Sequence, residues 1–169
     1  MKRKYEFTDE TMEVCGTTLH RIKALIDFNN VKAGDLGGWV ENEDNLSHHG
    51  NAWVYDDARI YGNALVYGNA LVYGDVWVYG NARVYDDACM YGNAQVSGDA
   101  RVYGNAKIYG DAWVYDNARV SDNARVYGNA WVYGDAEIFG NALVYGDVWV
   151  YGNARVYSNA CVNGDAQRI

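Results

Sequence analysis

Residues 50–67 read GNAWVYDDARIYGNALVY, three copies of one six-residue unit in which a small or acidic pair is followed by Ala-x-[Val/Ile]-Tyr. The unit persists: residues 49 to 162 make 114 positions, or 19 hexads, with no insertion or deletion. Within a hexad, Ala-x-Val-Tyr reads as a short strand, because Val and Tyr favour extended backbone and side chains alternate between the two faces of a strand. Ala and Val then share one face, and the variable residue shares the other with Tyr. The remaining pair, Gly followed by Asn or Asp, suits a corner, since these residues tolerate a positive φ.

Two architectures accommodate this unit, and they differ in which residues become neighbours. An antiparallel meander would use Gly-Asn as a hairpin turn and set neighbouring strands six residues apart. A three-sided coil sets them eighteen apart. Side chains that touch across a sheet should be alike, and the variable position is alike at eighteen: Trp113, Trp131 and Trp149 share that spacing, with Trp77 at 36 before Trp113. Arg83, Arg101 and Arg119 do the same, with Arg155 at 36 after Arg119. Within the repeat, Trp53 alone lies outside the register. The expected architecture is therefore an all-β, three-sided parallel solenoid. Its interior is made of Val rows such as Val78, Val96, Val114, Val132 and Val150, beside Ala rows such as Ala94, Ala112 and Ala130.

The composition agrees with repetition: 16 Tyr, 6 Trp and 19 Gly, against no Pro and 3 Phe. A formal net charge of -8 and a pI near 4.7 point to a soluble protein with no generic affinity for nucleic acid polymers or anionic membranes. No apolar run approaches the roughly 18 residues that span a bilayer, and Met1 to Lys4 pass directly into acidic sequence, so neither a signal peptide nor an anchor is readable. Cys15, Cys89 and Cys161 are odd in number and lack CxxC spacing, which favours reduced thiols in a cytoplasm over a disulfide framework or a zinc site.

The [Ile/Val]-x-Gly-[Asn/Asp]-Ala-x pattern of residues 49 to 162 resembles the hexapeptide repeat of left-handed β-helix proteins, and that resemblance implies a single-stranded left-handed parallel β-helix. In residues 1–48 the period is absent. Lys4–Phe7 and Met12–Cys15 look like strands, Gly16-Thr17 like a turn, and Leu19–Phe28 like a strand or a short helix. Solenoids need their ends covered, so residues 1–48 read as an N-terminal cap and 49–169 as the β-helix. The stretch DFNNVKAGDLGGWVENEDNLSHHGNAWVYDDA, residues 27 to 58, resembles the opening segment of the bacterial YdcK-like proteins through Asp27, Phe28, Asn29, Val31, Lys32, Ala33, Gly34, Gly37, Gly38, Trp39 and Val40. This implies a bacterial or phage-borne protein of a family without an established activity.

For chemistry, resemblance to hexapeptide acyltransferases would imply a trimer with an acyl-CoA site between subunits. Such an enzyme needs a base, and His20, His48 and His49 are the candidates, all ahead of the regular coil. No catalytic residue is assigned and no cofactor is called for. Corner carboxylates Asp57, Asp75, Asp111 and Asp147 share one edge beside Asp56, but each coil supplies one and Asn93 and Asn129 interrupt them; they read as corner residues rather than a metal site.

Two surfaces remain. Trp77, Trp113, Trp131 and Trp149 with Tyr79, Tyr115, Tyr133 and Tyr151 make a flat aromatic face of the size that monomers cover. It suits self-association as a dimer or trimer, or the holding of sugar rings. Arg83, Arg101, Arg119 and Arg155, beside Tyr85, Tyr103 and Tyr157, offer a ladder for a small anionic ligand such as a nucleotide or anionic saccharide, with Glu137 in the same row. The third face, with Trp53, Leu71, Cys89, Lys107, Arg125, Leu143 and Cys161, shows no single character. The leading expectation is a non-enzymatic scaffold or binding protein that self-associates through the Trp/Tyr face.

Overall fold

A computed structural model describes residues 2–168. It is an all-β solenoid whose hexads each contribute one short strand in turn to three sheets of ten, seven and six strands. Neighbouring rungs pair in parallel at a spacing of eighteen, as in Trp113↔Trp131, Arg101↔Arg119 and Lys107↔Arg125. The meander is thereby excluded. The coils are tied by backbone bonds at the corners as well as in the strands: Trp113 N donates to Ala130 O at 2.9 Å, and Asp111 N to Gly128 O at 2.9 Å. Few backbone groups are left without partners, so the chain can be almost entirely corner and two-residue strand.

Both inward positions of the hexad are sealed. Val78, Val96, Val114, Val132 and Val150, and the alanines beside them, have no solvent exposure. Each such Val contributes on the order of 1.5 to 3 kcal/mol, repeated coil after coil. Met90, Ile108 and Ile138 occupy Val positions without opening the wall.

The corners follow two rules. The first corner residue always has positive φ, and where it is not Gly it is Asp or, once, Ser: Asp56, Asp86, Asp116, Asp122 and Ser158 have φ between 51° and 60°. Each of these four Asp carboxylates accepts the amide N–H of the Gly one coil on, namely Gly74, Gly104, Gly134 and Gly140. Gly adopts the positive φ at no steric cost, and at Gly98 an added Cβ would lie 2.8 Å from the backbone N of Asp116. At the second corner position Asn donates upward to the next coil, as Asn51 to Asn69, Asn69 to Asp87, and Asn105 to Asn123. Asp ends the chain of donors because a carboxylate only accepts.

The N-terminal segment contributes an antiparallel hairpin of β1 (Tyr5–Val14) and β2 (Thr17–Ala24). The two short strands expected in 4–15 are one, with a register shift between Phe7 and Thr11. The stretch that was open between strand and helix is strand as far as Ala24. β2 pairs antiparallel with β3 (Leu36–Val40), and β3 pairs in parallel with the rung at Arg59–Ile60. Parallel stacking therefore starts before the strict period does. From Val40 to Leu46 the step is still six residues, but from Leu46 to Val54 it is eight, the surplus falling in Ser47–Gly50.

Tyr5, Ile22, Ala24 and Val31 join the same buried cluster as the coil interior. Trp53 explains its own irregularity here. It is 1% exposed, edge-on to Phe28 at 5.3 Å and to Tyr5 at 6.1 Å, and so anchors this end instead of joining a surface row. Gly38 takes the place of the inward Ala, because a Cβ there would lie 2.6 Å from Ala58 O. Lys4 is buried, donates through Nζ to Ala52 O at 2.7 Å and lies over the Phe28 ring; desolvation lowers its pKa to about 8.

Candidate functional site

The ten-stranded sheet carries the Trp row in the order Trp39, Arg59, Trp77, Gln95, Trp113, Trp131, Trp149. The eight aromatic residues singled out above do share this face, in two groups. Trp113, Trp131 and Trp149 stack with centroids 5.1 and 5.5 Å apart, and Tyr115, Tyr133 and Tyr151 beside them at 4.9 and 5.4 Å. Trp77 and Tyr79 stand apart, beyond the rung of Gln95 and Ser97. Trp77 is instead covered by the Arg59 guanidinium at 5.1 Å, and Tyr79 stacks on Tyr61 at 5.2 Å. Stacking hides much of each ring, yet Trp113 remains 37% and Tyr151 41% exposed. Among the described side chains the contiguous panel is six rings without a charge, rimmed by the corner residues Asp111 and Asp147 on one edge and Asp116 and Asp135 on the other. Past Trp149 the sheet continues into the strand Asp165–Arg168, with Arg168 paired to Trp149.

The six-stranded sheet orders its outward row as Leu65, Arg83, Arg101, Arg119, Glu137, Arg155. Glu137 lies between two guanidinium groups, 3.7 Å from Arg119 and 3.2 Å from Arg155. Half of the expected anion ladder is thus already neutralised. Arg83 and Arg101 form no ion pair within the described residues. Beside this row runs a ring column, Tyr67, Tyr85, Tyr103, then Ser121, then Phe139 and Tyr157, and a cavity of about 280 Å³ opens at the Ser.

The third face is less mixed than its variable row suggests. Tyr73, Tyr91, Tyr109, Tyr127 and Tyr145 form an unbroken stack with centroids 4.6 to 5.3 Å apart. That column, like the gaps at Ser97 and Ser121, becomes visible only when the last hexad position is read at every eighteenth residue. Cys89 and Cys161 sit on this face as free thiols, near Tyr73 and Tyr145.

His20 and His48 are packing residues of the N-terminal end, while His49 is exposed. His20 stacks on Phe7 at 5.0 Å, and His48 on Tyr5 at 4.3 Å while its Nδ1 accepts the Lys4 amide N–H. Desolvation lowers the His48 pKa from its ordinary value. Among the described residues no three His, Cys, Asp or Glu side chains come together as a metal site. The corner Asp111 and Asp147 accept from Asn93 and Asn129. No described helix is long and apolar enough to cross a membrane.

The coil geometry is matched by a family model, the YdcK beta solenoid repeat, at residues 58–74, 66–79, 77–92, 94–110, 118–134 and 136–152, together about half of the chain. The chain belongs to this family. A curated relative, the uncharacterized acetyltransferase YdcK of Escherichia coli (strain K12), is 39% identical over 66 residues, which is 34% of this chain and 20% of that protein. The shared segment is thus a fifth of that YdcK protein's length. In this YdcK-family chain the regular coils keep one length throughout, so its candidate sites are flat faces and single-residue gaps in ring columns.

Proposed function

We propose that the protein is a solenoid scaffold that associates with a second copy of itself through the panel of Trp113, Trp131, Trp149, Tyr115, Tyr133 and Tyr151. The observation that carries this reading is the panel itself: six contiguous rings without a charge among the described side chains, flat because the rungs are in register, and framed by polar corners. An apolar centre with a polar rim is the anatomy of an interface. Aromatic residues are also the side chains that most often dominate binding energy at such surfaces. The rim is acidic, so two such faces repel at their edges, and screening by salt strengthens the association.

Replacing Trp131 and Trp149 together by Glu places two charges in the centre of the panel without touching the core. The double variant keeps the β-sheet circular dichroism of the wild type and runs in light scattering at the mass of one chain. A wild type that is already monomeric overturns the reading. The relative's name suggests acyl transfer, but His20 and His48 are stacked on Phe7 and Tyr5, His49 is exposed, and none of the three lines the described cavities. A second reading, binding of a small anionic ligand at the arginine row, is favoured by Arg83 and Arg101, which lack ion-pair partners among the described residues.

A further inference from the structure

The ring column on the arginine face lacks one ring. Tyr67, Tyr85 and Tyr103 stack with centroids 4.9 and 5.1 Å apart and nearly parallel planes, and Phe139 and Tyr157 stack at 5.4 Å. Between Tyr103 and Phe139 the position belongs to Ser121. The rungs on either side are in register, Arg101↔Arg119 and Arg119↔Glu137. The two ring-bearing positions are therefore two strand spacings apart, about 9.6 Å. Each half of that interval equals the spacing at which this column stacks its own rings.

We propose that this gap is a binding slot for one planar heteroaromatic ring, the base of a purine nucleotide, with Arg101, which has no ion-pair partner among the described residues, meeting its phosphate. The proposal rests on the second reading above and gives that ligand a chemical class and a place. The cavity of about 280 Å³ is walled by Tyr103 and Phe139, floored by Ser121 and rimmed by Arg119, Asp122 and Glu137. That volume is at the small end of ligand pockets, the size of a base and not of a dinucleotide. Two facing π surfaces select a flat ring, because every base has two faces to stack.

The floor and rim supply polar partners. Ser121 is 6% exposed, and its hydroxyl makes no hydrogen bond to any described residue. The hydroxyl faces the open cavity, where it can meet a ring nitrogen or exocyclic group. Asp122 spends Oδ2 on the Gly140 amide N–H at 3.0 Å, while Oδ1 has no partner among the described residues. The Glu137 carboxylate, held by Arg119 and Arg155, adds a second acceptor for the N–H edge of a purine. The similar gap at Ser97, between Tyr79 and Tyr115, has Gln95 in its rung where this one has Arg119. It provides an internal control.

The test is calorimetric titration of the full chain with GMP and with AMP at low salt, with a dissociation constant of about 0.1 to 1 mM expected for at least one of them. Ser121→Tyr inserts the ring that the repeat uses elsewhere in the column; it abolishes binding and leaves the melting temperature equal or higher. Ser97→Tyr leaves the affinity within about twofold of wild type. Should Ser121→Tyr fold poorly, Phe139→Leu removes one wall and weakens binding by about tenfold or more. Absence of binding by both nucleotides, or unchanged affinity in the folded Ser121→Tyr or Phe139→Leu protein, overturns the proposal. Because the Trp/Tyr panel lies on another sheet, its failure and this one are read out separately.

Discussion

Asn123 donates its side-chain amide to the Oδ1 of Asn141 at 3.1 Å, and in turn accepts from Asn105 one coil below at 3.2 Å. The corner is thus a one-way hydrogen-bonded ladder along the solenoid axis, and Asn and Asp are not equivalent in it. Asn continues the ladder, and Asp terminates it.

The consequence is a graded effect of the same substitution at two corners. Asn123→Asp keeps the accepted bond and loses the donated one, a net cost of about 0.5 to 1.5 kcal/mol. Asn93→Asp loses its bond to Asp111 as well, and it also creates a run of three carboxylates, Asp75, 93 and Asp111, at successive rungs. Like charges at that spacing repel and are screened by salt. Urea denaturation should show the larger loss for Asn93→Asp, and only that loss should shrink at high salt.

Gly38→Ala restores the residue that the repeat uses at this position in all but two of its hexads, where Val76 and Val148 stand, and nonetheless destabilises. The added Cβ would meet Ala58 O at 2.6 Å, a backbone atom that cannot turn aside. Overpacking of this kind costs about 1 to 3 kcal/mol. Gly38→Ala should lower the denaturation midpoint, whereas a neutral result would mean that this end of the coil shifts freely.

How much of this was legible follows from where the period holds. Trp113 and Trp131 are eighteen apart in sequence and paired in space, so three-sidedness, the Trp and Arg rows and the buried Val and Ala rows were readable before any coordinates, whereas the Tyr column of the third face was not read. Trp53 was not, because its burial against Phe28 and Tyr5 depends on a segment without periodicity. The early start of stacking at Gly38-Trp39-Val40 was hidden by the two surplus residues around His48, which is drawn inward to stack on Tyr5. The Ser121 slot was hidden for a different reason: a gap is a property of what surrounds it, and Ser in a repeat reads as a neutral substitution until both neighbouring rings are in place.

Stability should pass through a maximum on the alkaline side. Burial lowers Lys4 to about 8, while in the unfolded chain it titrates near 10.4. Between those values the unfolded state holds more protons, so stability rises with pH across that window. Burial also raises tyrosines above their ordinary value of about 10, Tyr61 to about 12. Above pH ~10 the unfolded chain releases those protons first, and stability falls. Urea midpoints measured from pH 7 to 11 should rise and then fall. Lys4→Met should remove the rise and keep the fall; persistence of the rise would assign it to another group.

Val114 has no exposure and pairs with Val96 and Val132 in the wall of the coil. Val114→Asp buries a carboxylate with no partner at hand, at a cost of several kcal/mol. Limited proteolysis should then cut near this coil, where the wild type resists.

The claim on which the functional account rests is that the panel of Trp113, Trp131 and Trp149 is covered by a second copy of the chain. Its most direct test is the absolute mass of the wild-type protein by multi-angle light scattering across a series of salt concentrations. The account predicts two or three times the 18.9 kDa of one chain, with the oligomer favoured as salt increases. A mass of one chain at every concentration and salt tested would contradict it.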